Sequence, residues 1–240
     1  MFKDIIASSI GTGIAEIITL PICTIKTNYQ ADLKSKNIIS ITKSIYKKRG
    51  LKGFYTASIP SVTSQIISMS TKYTFYHLLK KIRKTEDKDL INNMINGCIG
   101  GLIGSIFSHP FDVIKIHQQQ NIKFKNELKK NGLKLFYRGY SKSFTKTIGL
   151  SCLLFPTYDF YKTNLAYPSF APICTTFTTI LFLQPIDYLK VRNISNLKLY
   201  EGLNFFKYYR GIHLNFMRSI PHFMITVNLT EYFIKKMQLA

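Results

Sequence analysis

The stretch "SHPFDVIKIHQQQ", Ser108 to Gln120, closes an apolar, glycine-rich run, "GCIGGLIGSIF" (97–107), that carries no charge. A helix end would explain a turn there. It does not explain a proline, a carboxylate and a lysine at fixed spacing. The same triplet returns as "QPIDYLKVR" (184–192) and, with Cys23 at the acid position, as "LPICTIKTN" (20–28). Three copies in one chain mark an internal repeat.

A second signature follows each triplet: "RGLKGFYTA" (49–57), "NGLKLFYRG" (131–139) and "LNFFKYYRG" (203–211). Counted from Ala57, Gly139 and Gly211, the seventh residue onward is Ser64, Lys146 or Arg218. The twentieth is His77, Asp159 or Glu231, and the twenty-third is Lys80, Lys162 or Ile234. This register holds in all three copies without a gap. Between the signatures lie short basic stretches such as "SITKSIYKKRG" (40–50), whose Ile41, Ile45 and Tyr46 fall near helical spacing. Each repeat therefore reads as a long helix, a short interfacial helix and a second long helix. The boundaries fall at 1–88, 89–165 and 166–240.

Composition agrees with a membrane protein that meets anions. Over 240 residues, 33 Lys and Arg against 12 Asp and Glu give a net charge of +21, which calls for an anionic partner. Leu90 to Phe111 and Tyr167 to Ile186 are uncharged and long enough to span a bilayer, and Gly53 to Thr71 is nearly so. Cys23, Cys98, Cys152 and Cys174 form no C-x-x-C pair, so neither a zinc site nor a disulfide frame is expected. No nucleophile–base arrangement or phosphate loop is visible, and the sequence suggests neither an enzyme nor a cofactor. No cleavable presequence is expected.

The threefold P-x-[D/E]-x-x-[K/R] triplet with its aromatic-basic-glycine partner resembles the mitochondrial carrier family. That resemblance implies an all-α membrane protein of six transmembrane helices in three pseudo-symmetric repeats, with short helices on the matrix side. It also implies an alternating-access exchanger, functional as a monomer in the mitochondrial inner membrane. The matrix gate would consist of Lys26, Asp112, Lys115, Asp187 and Lys190, with Asp112 pairing with Lys190 and Asp187 with Lys26. Lys115 is expected to lack a partner because Cys23 replaces the acid. The cytoplasmic gate would consist of His77, Lys80, Asp159, Lys162 and Glu231, with Glu231–Lys80 its one surviving inter-repeat pair.

By the same resemblance, Ser64, Gln65, Lys146, Thr147, Arg218 and Ser219 are the substrate contacts, with His222 one turn beyond Arg218. Cations at Lys146 and Arg218, with no fixed acid beside them, imply an anionic substrate. Nucleotides, including deoxynucleotides, are favoured. A phosphate or carboxylate carrier is the alternative, and a soluble nucleic-acid-binding protein a more distant one. Arg138, Gly139, Arg210 and Gly211 would hold cardiolipin at helix starts. Gly97 with Gly101 and Gly100 with Gly104 suggest close helix packing.

Overall fold

In the computed structural model, residues 2–32, 37–84, 90–165, 170–199, 202 and 204–239 are described. Eight α-helices account for most of them: α1 (Phe2–Ala31), α2 (Ile38–Arg49), α3 (Ser58–Ile82), α4 (Leu90–Gln119), α5 (Phe124–Asn131), α6 (Tyr140–Asn164), α7 (Ala171–Ile194) and α8 (Ile212–Leu239). The six long helices form a closed ring. In it α1 packs on α3, α3 on α4, α4 on α6, α6 on α7, α7 on α8, and α8 back on α1. The triplet prolines Pro21, Pro110 and Pro185 lie inside α1, α4 and α7, which continue through them.

The aromatic-basic-glycine signatures begin as 3₁₀ turns, Leu51–Phe54, Gly132–Tyr137 and Phe205–Tyr209. Gly139 and Gly211 follow the second and third turns in left-handed conformation, with φ of 77° and 82°. This is backbone that only glycine adopts cheaply, and it turns the chain sharply into α6 and α8. Two expectations change here. Gly53 belongs to a turn, so the second span starts at Ser58. In the third repeat, no α-helix occurs among the described residues between Ile194 and Ile212, and a short interfacial helix is seen only as α2 and α5.

Packing is inverted relative to a water-soluble bundle. On α1 the buried side includes Ser8, Thr12, Glu16, Thr19, Thr24, Lys26 and Gln30, while Ile6, Ile10, Ile14, Ile17 and Ile18 face outward. Burying one isoleucine is worth roughly 1.5–3 kcal/mol, so a helix that turns five of them outward needs an apolar solvent. On α7, Phe177, Leu181 and Phe182 point out while Thr175, Thr179, Gln184 and Asp187 are buried. By length and composition, Ile5–Ala31 and Ile91–Gln119 are the two described segments able to cross a membrane. The expected span at Tyr167 to Ile186 is diluted by threonines. Thr175, Thr178 and Thr179 bond the carbonyls one turn back, on Ala171, Cys174 and Thr175 (2.7–3.0 Å), so their polarity is absorbed by the helix itself.

A small apolar core of Val113, Ile116, Leu135, Val191 and Ile194 sits at the proline end, packed against Phe124 and Leu128 of α5. It draws α4 and α7 together where their charged triplets lie.

Candidate functional site

Three carboxylates organise the ring interior. Asp112 on α4 accepts from Lys190 Nζ on α7 at 2.7 Å and from the Ser64 hydroxyl on α3. Asp187 on α7 accepts from Lys26 Nζ on α1 at 2.5 Å and from Lys146 Nζ on α6. Lys26 also donates to Asn215 Oδ1 at 2.9 Å, which binds it to α8 as well. The structure therefore brings together both inter-repeat pairs that the family resemblance implied. Among the described residues, the cluster sets five cations against three carboxylates, an excess of two positive charges.

Glu16 is the third carboxylate, and it corrects two expectations. Lys115 is not without a partner: its Nζ lies 2.7 Å from Glu16 Oε1. Nor are the substrate-contact cations free of a fixed acid, because Arg218 Nη2 reaches Glu16 Oε2 at 2.8 Å and His222 Nε2 lies 3.3 Å from the same oxygen. Ser61 donates to Oε1, and Gln65 Nε2 donates to Oε2 at 3.3 Å. Glu16 is fully buried. A buried charge survives only when paired and hydrogen-bonded, and this one is fully supplied.

Beside the carboxylates lies a cavity of ≈ 270 Å³. Its lining is mixed: Lys146, Arg218, His222, Asp187, Gln65, Asn215, Ser219, Thr176 and Thr179 with Leu150, Ile180, Leu183 and Phe223. Lys146 keeps 35% of its side-chain surface exposed although it touches Asp187, so it remains available to a solute. Two expected contacts lie elsewhere. Ser64 is buried against Asp112. The Thr147 hydroxyl bonds its own helix at Ser143 O (3.0 Å), and its methyl faces Gly101 of α4. Both residues are correctly phased in the repeat, but helix rotation directs them to neighbours.

At the opposite end of the ring the expected Glu231–Lys80 pair is not formed: Glu231 is exposed, and no ion pair joins the two. His77 stacks on Tyr73 and meets Tyr76 edge-on, with ring centroids at 6.4 and 5.4 Å. The side chains of Asp159 and Lys162 lie outside the described residues. Among the described residues, the ion pairs that cross the ring lie at the proline end. Of the signature arginines, Arg210 donates to Tyr29 O (2.7 Å) and Asp32 O (2.6 Å) and covers the Tyr29 ring. Arg138 binds Asn131 at 2.9 Å and Glu127 at 3.4 Å. Both guanidinium groups are engaged in holding short segments and helix ends.

The profile described as "Mitochondrial carrier protein" matches residues 1–87 and 86–169. The chain belongs to the mitochondrial carrier family. A mitochondrial carrier-like protein of Acanthamoeba polyphaga mimivirus is 44% identical over 235 residues, covering 98% of this chain and 97% of the relative. Mitochondrial thiamine diphosphate carrier 2 of Zea mays is 25% identical over 68% of this chain. Mitochondrial carrier protein CoAc2 of Zea mays is 26% identical over 69%. The alignments with the two maize proteins span 58% of their length. Family membership makes the chain a transporter and accounts for the inverted packing, which a soluble nucleic-acid-binding protein would not need.

Proposed function

We propose that this carrier exchanges phosphorylated heteroaromatic anions, nucleotides and deoxynucleotides among them, across the mitochondrial inner membrane by alternating access. The observation that carries this reading is the mixed lining of the cavity, where Lys146 and Arg218 share one space with Leu150, Ile180, Leu183 and Phe223. Ammonium and guanidinium groups suit phosphate oxygens, and the apolar side chains suit a base. Bare phosphate or a small carboxylate would leave those side chains unused. The excess of two positive charges in the cluster fits a multiply charged anion. A distant relative named for thiamine diphosphate, itself an aromatic diphosphate, points to the same class.

In this reading Asp112–Lys190 and Asp187–Lys26 form the matrix gate. His77, Lys80, Asp159, Lys162 and Glu231 are the residues of the cytoplasmic gate. Gly139 and Gly211, with Arg138 and Arg210 beside them, open helices whose first N–H groups suit cardiolipin phosphates. The carrier works as a monomer, since one ring encloses the whole site. Likeness to a viral protein favours a host mitochondrion as its location.

Reconstitution into liposomes tests the substrate. Uptake is measured with ribonucleotides, deoxynucleotides, thiamine diphosphate, phosphate and dicarboxylates outside, each against each inside. Nucleotide uptake that depends on internal nucleotide is expected. Exchange confined to phosphate or dicarboxylates would overturn the reading.

A further inference from the structure

Glu16 stands outside the repeat register. It lies seven residues before Cys23, two helical turns or about 10 Å along the same face of α1. Cys23, Lys26, Lys115 and Arg218 nevertheless line one common cavity. Lys115, which shares this cavity with Cys23, reaches Glu16 Oε1, while Glu16 Oε2 holds Arg218. A buried acid with a purely structural role needs one cation. Glu16 has two, drawn from different helices, with His222 and two hydrogen-bond donors besides.

The two cations differ in kind. Lys115 comes from α4, which is not adjacent to α1 in the ring, so this contact crosses the interior and must break if the proline end opens. Arg218 comes from α8, the neighbour of α1, and faces the substrate cavity. Asp187 has the same double duty, holding Lys26 across the ring and Lys146 from the adjacent α6. In the empty carrier each substrate-facing cation therefore rests on an acid that also holds a gate lysine.

We propose that Glu16 is the third acid of the matrix gate, displaced two turns toward the cavity, and an internal competitor for the substrate's place on Arg218. The gate part stands on the Lys115 contact. The competition part rests on the reading of Arg218 as an anion contact. An arriving anion takes Arg218 from Glu16, which until then offsets part of the positive charge of the empty site. The missing acid at Cys23 is thus a relocation and not a loss.

The test separates the two parts by comparing Glu16→Gln with Glu16→Gln/Cys23→Asp. Purified carrier is followed by thermal unfolding. Liposomes are followed by dATP uptake and by efflux of preloaded dATP with no counter-anion. Glu16→Gln should lower the unfolding temperature, raise efflux, and reduce the half-saturating dATP concentration up to roughly fivefold by freeing Arg218. Adding Cys23→Asp should restore stability and suppress efflux, because Lys115 regains an acid, while half-saturation stays low. Failure of Cys23→Asp to restore stability would overturn the gate role. Unchanged half-saturation in both variants would overturn the competition.

Should Glu16→Gln not accumulate, Cys23→Asp alone decides the gate role. A small stability change is expected because Lys115 is already paired, and a large stabilisation would mean that it was not. Arg218→Ala with normal dATP uptake would remove the substrate-site reading and leave the gate result standing.

Discussion

The division between Lys146 and Arg218 on the cavity and Ser64 and Thr147 turned aside yields a prediction for each pair. Lys146→Ala and Arg218→Ala each remove a charge-assisted contact of about 1.5–3 kcal/mol, so exchange should fall roughly tenfold to a hundredfold. Thr147→Val should leave exchange near normal, since its hydroxyl serves its own backbone. Uptake assays on variants with matched membrane content check both, and a severe loss in Thr147→Val would return that residue to the site. The paired triplets were legible because Asp112, Lys190, Asp187 and Lys26 obey the repeat. Glu16 was missed for the converse reason: the corresponding positions in the other copies, five residues before each triplet proline, are Ser105 and Ile180. A signal was available, however. Glu16 is an acid in the middle of a 30-residue helix, where a charge costs about 2.5–3.5 kcal/mol unless partnered. That cost by itself implies cations on the facing helices.

Among elements, α4 shows how one glycine-rich stretch serves two interfaces. A Cβ on Gly100 would lie 2.9 Å from Lys72 O, and one on Gly104 2.9 Å from Ser68 O, so α3 approaches with its backbone along this stripe. Gly101, on another face, would meet only the Thr147 methyl of α6 at 3.3 Å. The two overlapping patterns visible in the sequence thus differ in consequence. Gly104→Ala should destabilise by about 1–3 kcal/mol, because backbone cannot yield as a side chain can and the clash exceeds the helix-propensity gain of about 1 kcal/mol. Gly101→Ala should be near neutral, the small clash offset by that same gain. Thermal unfolding in detergent compares them, and equal effects would show that the α3–α4 approach is no tighter than the α4–α6 one. Helix identity and order were legible from the repeats. The third repeat's lack of a short helix among the described residues was not, because the segment after α7 (195–204) carries no basic amphipathic pattern like that of 40–50.

For the whole molecule, the ion pairs at the proline end predict which side the empty carrier shows to solvent. At the proline end, Lys26, Lys115 and Asp187 are all buried beneath inter-repeat pairs. At the far end Glu231 is exposed and α3 and α8 are joined by no ion pair between it and Lys80. An even number of spans places both termini on the same side; in the proposed orientation that side is cytoplasmic, and the exposed Lys43 of α2 lies on the matrix side. In a background lacking the native cysteines, Lys43→Cys should react with a membrane-impermeant thiol reagent only from the matrix side. Ser219→Cys, which faces the cavity, should react from the cytoplasmic side in the empty carrier. Transported nucleotide should slow the second reaction and not the first, because it fills the cavity and leaves α2 untouched. Breaking the gate by Lys190→Ala adds the decisive comparison. Loss of one partly wet pair, worth up to about 1 kcal/mol, should shift populations by no more than about fivefold and let Ser219→Cys react measurably from the matrix side too. If Ser219→Cys reacts from the matrix side as fast in the intact gate as in the broken one, the Asp112–Lys190 pair does not close that end.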